Sequence, residues 1–231
     1  MEERQLLNIV YFSNRVEWAY QIRGKMKEDQ KKIFCKTELP DIERTISRKI
    51  STIEILIENI NMEMKEINKI LSEKQEEVNN CLKEQKAFDF RNNVHHIYRI
   101  IAYFEATLIQ MVAVIDLLIK YISTYYIKIL KNRKGQKDIL GMLRRDGINI
   151  EWKRELYFLR RIVTHYYTAW LSLKKERNYF QLIINFPSSI RRLKDYKVFK
   201  YDTLSINEIN KIFRNFDGFY NNVINWFINT L

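Results

Sequence analysis

The stretch ISTIEILIENINMEMKEINKIL, Ile50–Leu71, decides how this chain folds. In it Ile50, Ile53, Ile57, Ile60, Met64, Ile67 and Leu71 step by alternating threes and fours, with Glu, Lys and Asn filling most of the rest. Residues at that spacing share one stripe only on an α-helix, so the pattern is the seam of a heptad-like helix. Outward from it, no Gly or Pro occurs between Pro40 and Gly135, so nothing punctuates the backbone there. Lys74 interrupts the seam and Val78 resumes it. A helix from Asp41 to about Lys86 would be roughly 70 Å long at ~1.5 Å per residue. Such an arm either pairs with another chain as a coiled coil or lies alongside its own domain as one helix of a bundle.

Asp89–Asn93 breaks the pattern, and a second long helix is predicted over Val94–Leu130. Its stripe of Ile97, Ile100, Ile101, Phe104, Leu108, Met111, Val112, Ile115, Leu118 and Ile119 should form the centre of the core. The run Asn132, Arg133, Lys134, Gly135 ends it. A short helix follows over Asp138–Arg145, stopped by Asp146-Gly147, and then a helix over Trp152–Lys174 carrying Leu156, Leu159, Val163 and Trp170. Tyr179–Phe186, rich in β-branched and aromatic residues, reads as a strand pairing with Lys197–Tyr201 in a small hairpin within 179–201. Ser205 and Glu208 have capping-box spacing, so a last helix should start at Ile206 and run towards Ile228, with Gly218 a point where it can kink. The expected fold is therefore mainly α, a helical bundle at 91–231 behind a helical extension at 1–90.

Composition agrees. The 231 residues hold 5 Gly and 2 Pro, too few for a β-sandwich, a barrel or a Gly-loop nucleotide fold. With 46% hydrophobic and 29% charged residues the chain can bury a core. Cys35 and Cys81 form no C-x-x-C pair, so neither a disulfide framework nor a zinc knuckle is indicated and a reducing cytoplasm fits. The opening Met-Glu-Glu-Arg has no secretory pattern. The greasiest run, Ala106–Ile119, is broken by Gln110 and Asp116, short of the ~20 apolar residues of a membrane span, so no membrane is expected. A formal charge of +12 suits a polyanionic partner, although solvated lysines on ordinary helices give the same number. No P-loop, G-x-G-x-x-G, H-E-x-x-H or metal-ligand spacing is present, so no cofactor or metal is implied.

The specific feature is Leu159-Arg160-Arg161-Ile162-Val163-Thr164-His165-Tyr166-Tyr167, which reads R-x-x-x-x-H-x-Y. On a helix preceded by an apolar helix and a connector, this resembles the HEPN superfamily, small helical bundles that are often metal-independent ribonucleases. It is similar to the HEPN toxins paired with minimal nucleotidyltransferases, over roughly Ala102–Lys174. The resemblance implies RNA as substrate, a homodimer, a nucleotidyltransferase-type antitoxin as partner, a toxin or antiphage setting, and Arg160, His165 and Tyr167 as site residues. The family usually has a polar residue after its arginine, a place filled here by Arg161. In those toxins the tyrosine also accepts adenylyl groups from the antitoxin, which extends to Tyr167.

The residue types suit the chemistry. Metal-free RNA cleavage needs a base for the ribose hydroxyl, an acid for the departing oxygen, and positive charge on the crowded phosphorus. A histidine offers both protonation states near neutral pH, and an arginine offers a planar, permanently charged fork. On an ideal helix Arg161 lies one turn from His165 on the same face, whereas Arg160 lies about 140° away, so geometry favours Arg161 and the family motif Arg160. Tyr167, about 200° from His165, either bonds phosphate or packs in the core. Arg91 and His96 form a second R-x-x-x-x-H match at a helix start, without the following tyrosine, and His95 and His96 also read as a helix-start pair with one ring facing solvent. His165 itself could be a half-buried polar residue at the core's edge, enclosed by Trp152, Tyr157 and Trp170. In that case the bundle would be an inactive RNA-binding or scaffold protein, with the Ile50–Leu71 arm as its interaction surface.

Overall fold

The computed structural model describes residues 17–84, 94–163, 170–175, 180–186 and 203–231. In chain order these form α1 (Glu17–Gly24), α2 (Glu28–Phe34), α3 (Leu39–Glu73), α4 (Gln75–Lys83), α5 (Val94–Lys128), α6 (Gln136–Arg145), α7 (Glu151–Arg161), β1 (Trp170–Lys175), β2 (Phe180–Asn185), β3 (Thr203–Ser205) and α8 (Ile206–Thr230). The protein is mainly α, as the unpunctuated span and the helical stripes predict.

The predicted arm is α3 and α4. The seam lies inward: Ile50, Ile53, Ile57 and Ile67 are fully buried, and Ile60, Met64, Leu71 and Val78 nearly so, all within the single chain. The arm is therefore a bundle helix. Its break falls at Lys74, where the seam is interrupted, yet the Lys74 N–H still bonds the Ile70 carbonyl and the Val78 N–H the Lys74 carbonyl. Ile57→Ala should therefore lower stability by about 2–5 kcal/mol through lost burial and a cavity. Ile55→Ala, on the exposed side of the same helix, should cost under about 0.5 kcal/mol. Urea unfolding at two protein concentrations checks this, because a coiled-coil interface would make the loss depend on concentration.

Local signals place the ends of the elements. Thr37 Oγ1 accepts the Leu39 N–H at 3.2 Å at the start of α3. After α5 the chain turns through Lys131 at φ 56°, and the Asn132 N–H reaches the Tyr126 carbonyl at 2.8 Å. Gly147, at φ 79°, takes the left-handed conformation that stops α6. Asn149 Oδ1 then accepts the Glu151 N–H at 2.9 Å, opening α7. The capping box is present: the Ser205 N–H bonds Glu208 Oε2 at 2.6 Å and the Glu208 N–H bonds Ser205 Oγ at 3.4 Å. α8 runs through Gly218 as one helix.

Two expectations need correcting. The helix predicted over Trp152–Lys174 is regular α only to Arg161 and passes into a π turn at Ile162–Val163, and Trp170–Lys175 is a strand. Trp170 sits seven residues after Val163, a helical interval, while Leu171 and Leu173 alternate at period two, so both periods fit and the antiparallel pairing with Phe180–Asn185 selects the strand. The strand expected at Tyr179–Phe186 exists as Phe180–Asn185, but its antiparallel neighbours are β1, with Trp170 opposite Asn185, and β3, with Ile183 opposite Ser205. The partner expected at Lys197–Tyr201 lies outside the described residues.

The chain gathers into two compact units, each drawn from separated stretches. The first includes Ile55–Thr107 and Phe158–Lys211, and the second includes Val10–Glu54, Leu108–Tyr157 and Ile212–Leu231. The division expected at residue 90 falls within residues 85–93, outside the described ones. In the second unit α3 and α5 run antiparallel: Glu38 pairs with Lys120 and Lys49 with Gln110. Aromatic edges fill its core, with Trp18 against Tyr121 at 5.2 Å and Tyr125 against Phe227 at 5.1 Å between ring centroids. In the first unit the same two helices meet at Glu63 and His96, over a core that includes Ile57, Ile67, Phe104, Leu159, Ile162 and Leu204. Among the described helices α5 is long and apolar enough to cross a membrane by length and composition, yet half of its most apolar window is buried inside the protein.

Candidate functional site

The motif begins on the last turn of α7. Leu156, Phe158, Leu159 and Ile162 are buried, which anchors that side of the helix in apolar surroundings, while Arg160 and Arg161 are half-buried. The Arg161 guanidinium lies 5.5 Å from the centroid of the Phe158 ring, a cation–π arrangement that draws this side chain back along the helix. Immediately after Arg161 the helix widens into a π turn at Ile162–Val163. The ideal-helix angles that favoured Arg161 over Arg160 therefore do not carry beyond Arg161. His165 and Tyr167 lie outside the described residues. Of the aromatic residues considered as an enclosure for His165, Trp152 packs edge-on against Phe219 at 5.4 Å and Tyr157 donates a hydrogen bond to Asp116.

The second R-x-x-x-x-H match is described at its histidine. His96 Nδ1 lies 2.5 Å from Glu63 Oε2, and Arg99 Nη1 donates to the other oxygen, Glu63 Oε1, at 3.2 Å. An ionised carboxylate only accepts, so His96 carries its proton on Nδ1 in this contact. The His95 ring lies 4.0 Å from the His96 ring, centroid to centroid, and is exposed while His96 is half-buried, as a helix-start pair with one ring in solvent should be. Glu63 had no signal in the sequence, being one of several acidic residues between seam positions. Arg91 lies outside the described residues.

A third cluster joins α5 and α7. Lys153 Nζ sits 3.9 Å from Asp116 and 4.9 Å from the Tyr157 ring centroid, with the lysine side chain largely buried. Burial holds this ammonium below the ordinary lysine range, and Asp116 opposes that shift only in part. The folded protein then binds fewer protons than the unfolded chain between the two pKa values, so stability rises with pH through that window, and the burial cost is fully present below it. Lys153→Met should raise stability at neutral pH by about 1 kcal/mol. Its advantage over wild type should shrink as the pH is taken alkaline, and an advantage that grows with pH would contradict the assignment.

Among the described residues no group of three or more His, Cys, Asp or Glu could hold a metal ion. Cys35 is exposed and Cys81 half-buried, both free. Together these residues define a mainly α helical bundle with a three-stranded antiparallel sheet. No family model, curated protein or solved structure matches the chain.

Proposed function

We propose that the protein is a metal-independent endoribonuclease of the HEPN type, working in the cytoplasm in a toxin or antiphage role. The observation that carries this reading is the π turn at Ile162–Val163, between the arginine pair and His165. π turns are rare and are frequently found at functional sites. Here the turn intervenes between Arg160 and His165, the two residues whose mutual placement the chemistry needs. The mainly α architecture and the net charge of +12 fit the same reading.

In this mechanism His165 exchanges the proton and Arg160, assisted by Arg161, neutralises charge on the phosphorus, while Tyr167 bonds phosphate or orients the histidine. The reaction leaves a cyclic phosphate end, since the neighbouring ribose hydroxyl is the nucleophile and no metal-bound water is needed. Incubating purified protein with mixed RNA in EDTA tests it. Cleavage that survives chelation supports the reading, and activity that vanishes in EDTA and returns with magnesium overturns it.

One imidazole cannot easily serve both the attacking and the departing oxygen, which lie on opposite sides of the phosphorus. A two-fold homodimer with the motif helices near its axis supplies a second His165. Mixing His165→Ala chains with wild type under exchange conditions should make cleavage follow the square of the wild-type fraction. A linear fall, or a monomer by light scattering, excludes the shared site. A nucleotidyltransferase-type antitoxin that modifies Tyr167 is the partner this reading implies.

A further inference from the structure

The first turns of α5 bring together features that an interhelical ion pair does not need. Glu63 is used at both oxygens, one by His96 and one by Arg99. With Nδ1 turned to Glu63, Nε2 lies across the ring as the nitrogen that can exchange a proton with something else. The His96 side chain keeps 15% exposure, so the ring is not sealed, and Arg99 is 55% exposed while touching Glu63. A guanidinium has about five N–H donors, and that contact occupies one nitrogen. The exposed His95 ring lies beside His96, tilted by 41°. Tyr98, on the same stretch of helix, is 63% exposed, a large aromatic face left in water. These residues start a helix, where the backbone dipole favours an anion. Histidine, arginine and an exposed ring at one helix start are the elements that hold a single-stranded nucleic acid, the cations on phosphate and the ring under a base.

The geometry points to Glu63, His96 and Arg99 as an acid–base site for a phosphodiester of single-stranded RNA, with His95 and Tyr98 as further contacts. This rests on the ribonuclease reading and extends it by a second kind of histidine. In the transesterification the ribose oxygen bonds to phosphorus as the bond from phosphorus to the departing oxygen breaks. One imidazole takes the hydroxyl proton and another gives a proton to the departing oxygen, and nothing is oxidised or reduced. His96 Nε2 makes one of these transfers in place of the second His165 of the two-fold arrangement, so this site predicts a linear rather than a squared dependence on the wild-type His165 fraction. Glu63 is a positioning residue that fixes the tautomer, and Arg99 binds the phosphate.

Two measurements test the site. The first is an NMR titration of the full-length protein with a deoxydinucleotide, which carries one phosphodiester and no ribose hydroxyl to react. The His96 ring resonances should shift and saturate, Arg99→Ala should weaken binding about tenfold, as loss of a charged phosphate contact does, and Glu63→Gln should change the tautomer signature of the His96 ring nitrogens. If His96 only ties α3 to α5, its ring will not respond to the ligand, and the proposal falls. The second is RNA cleavage by His96→Ala and Glu63→Gln. A ~10²-fold or greater loss in the first, and a loss on the order of 10- to 100-fold in the second, support the site. Full activity in His96→Ala overturns it while leaving the ribonuclease reading intact. A wild type that cleaves no RNA defeats that reading instead, and the titration alone then decides whether the site binds a phosphodiester.

Discussion

Replacing His165 by alanine is expected to cut RNA cleavage by ~10²- to 10⁴-fold, the range for removing a general acid or base. The melting temperature should stay close to that of wild type, because the anchoring of α7 comes from Leu156, Leu159 and Ile162, which the substitution leaves in place. The loss should lie in the rate constant rather than in RNA binding, since Arg160 and Arg161 still attract the phosphate. Arg160→Ala and Arg161→Ala separate the two arginines. The one that contacts the reacting phosphate loses activity as steeply as His165→Ala, and the other changes mainly the salt dependence of binding. Single-turnover cleavage in EDTA measures each effect. Undiminished cleavage by His165→Ala would sink the assignment.

The second large effect concerns stability. Glu43 is only 4% exposed, and its carboxylate accepts the Tyr121 hydroxyl at 2.7 Å and pairs with Arg23. Tyr121 in turn lies edge-on to Trp18 and Phe227, inside the aromatic core. Burial, then the neighbouring Glu43 charge, pushes the Tyr121 hydroxyl far above the ordinary tyrosine range, so it remains a donor at any working pH. Glu43→Ala leaves that hydroxyl without its acceptor in an apolar layer and removes the partner of Arg23. The expected cost is about 3 kcal/mol, since the orphaned hydroxyl is buried while Arg23, 41% exposed, regains water. Tyr121→Phe removes one hydrogen bond to a charged group and should cost about 1.5–3 kcal/mol. Urea unfolding of both variants should keep that order. A loss below about 1 kcal/mol for Glu43→Ala would mean that the buried carboxylate is dispensable.

The sequence by itself determined the class of fold and the ends of α5, β2 and α8 to within about two residues. Periodicity placed α3 and α5 because a helix converts spacing directly into a face. Capping placed the start of α8 because Ser205 and Glu208 need only their own backbone, whereas the single helix expected from Asp41 to about Lys86 is divided at Lys74 into α3 and α4. Whether the Ile50–Leu71 seam met another chain or its own was not determined, since an apolar stripe is satisfied equally by either cover. Tertiary structure decided that, and it decided the fate of Trp170–Lys175, where helical and strand periods both fit a short segment and the pairing with Phe180–Asn185 selected one. It also set the helix geometry at the arginine pair. The R-x-x-x-x-H spacing assumes a regular helix, and a π turn after Arg161 removes that assumption. Glu63 and His96 are 33 residues apart in sequence. They meet because α3 and α5 run side by side, and no local pattern encodes which residue on one helix comes to lie opposite which on the other. The packing of the two helices makes that choice.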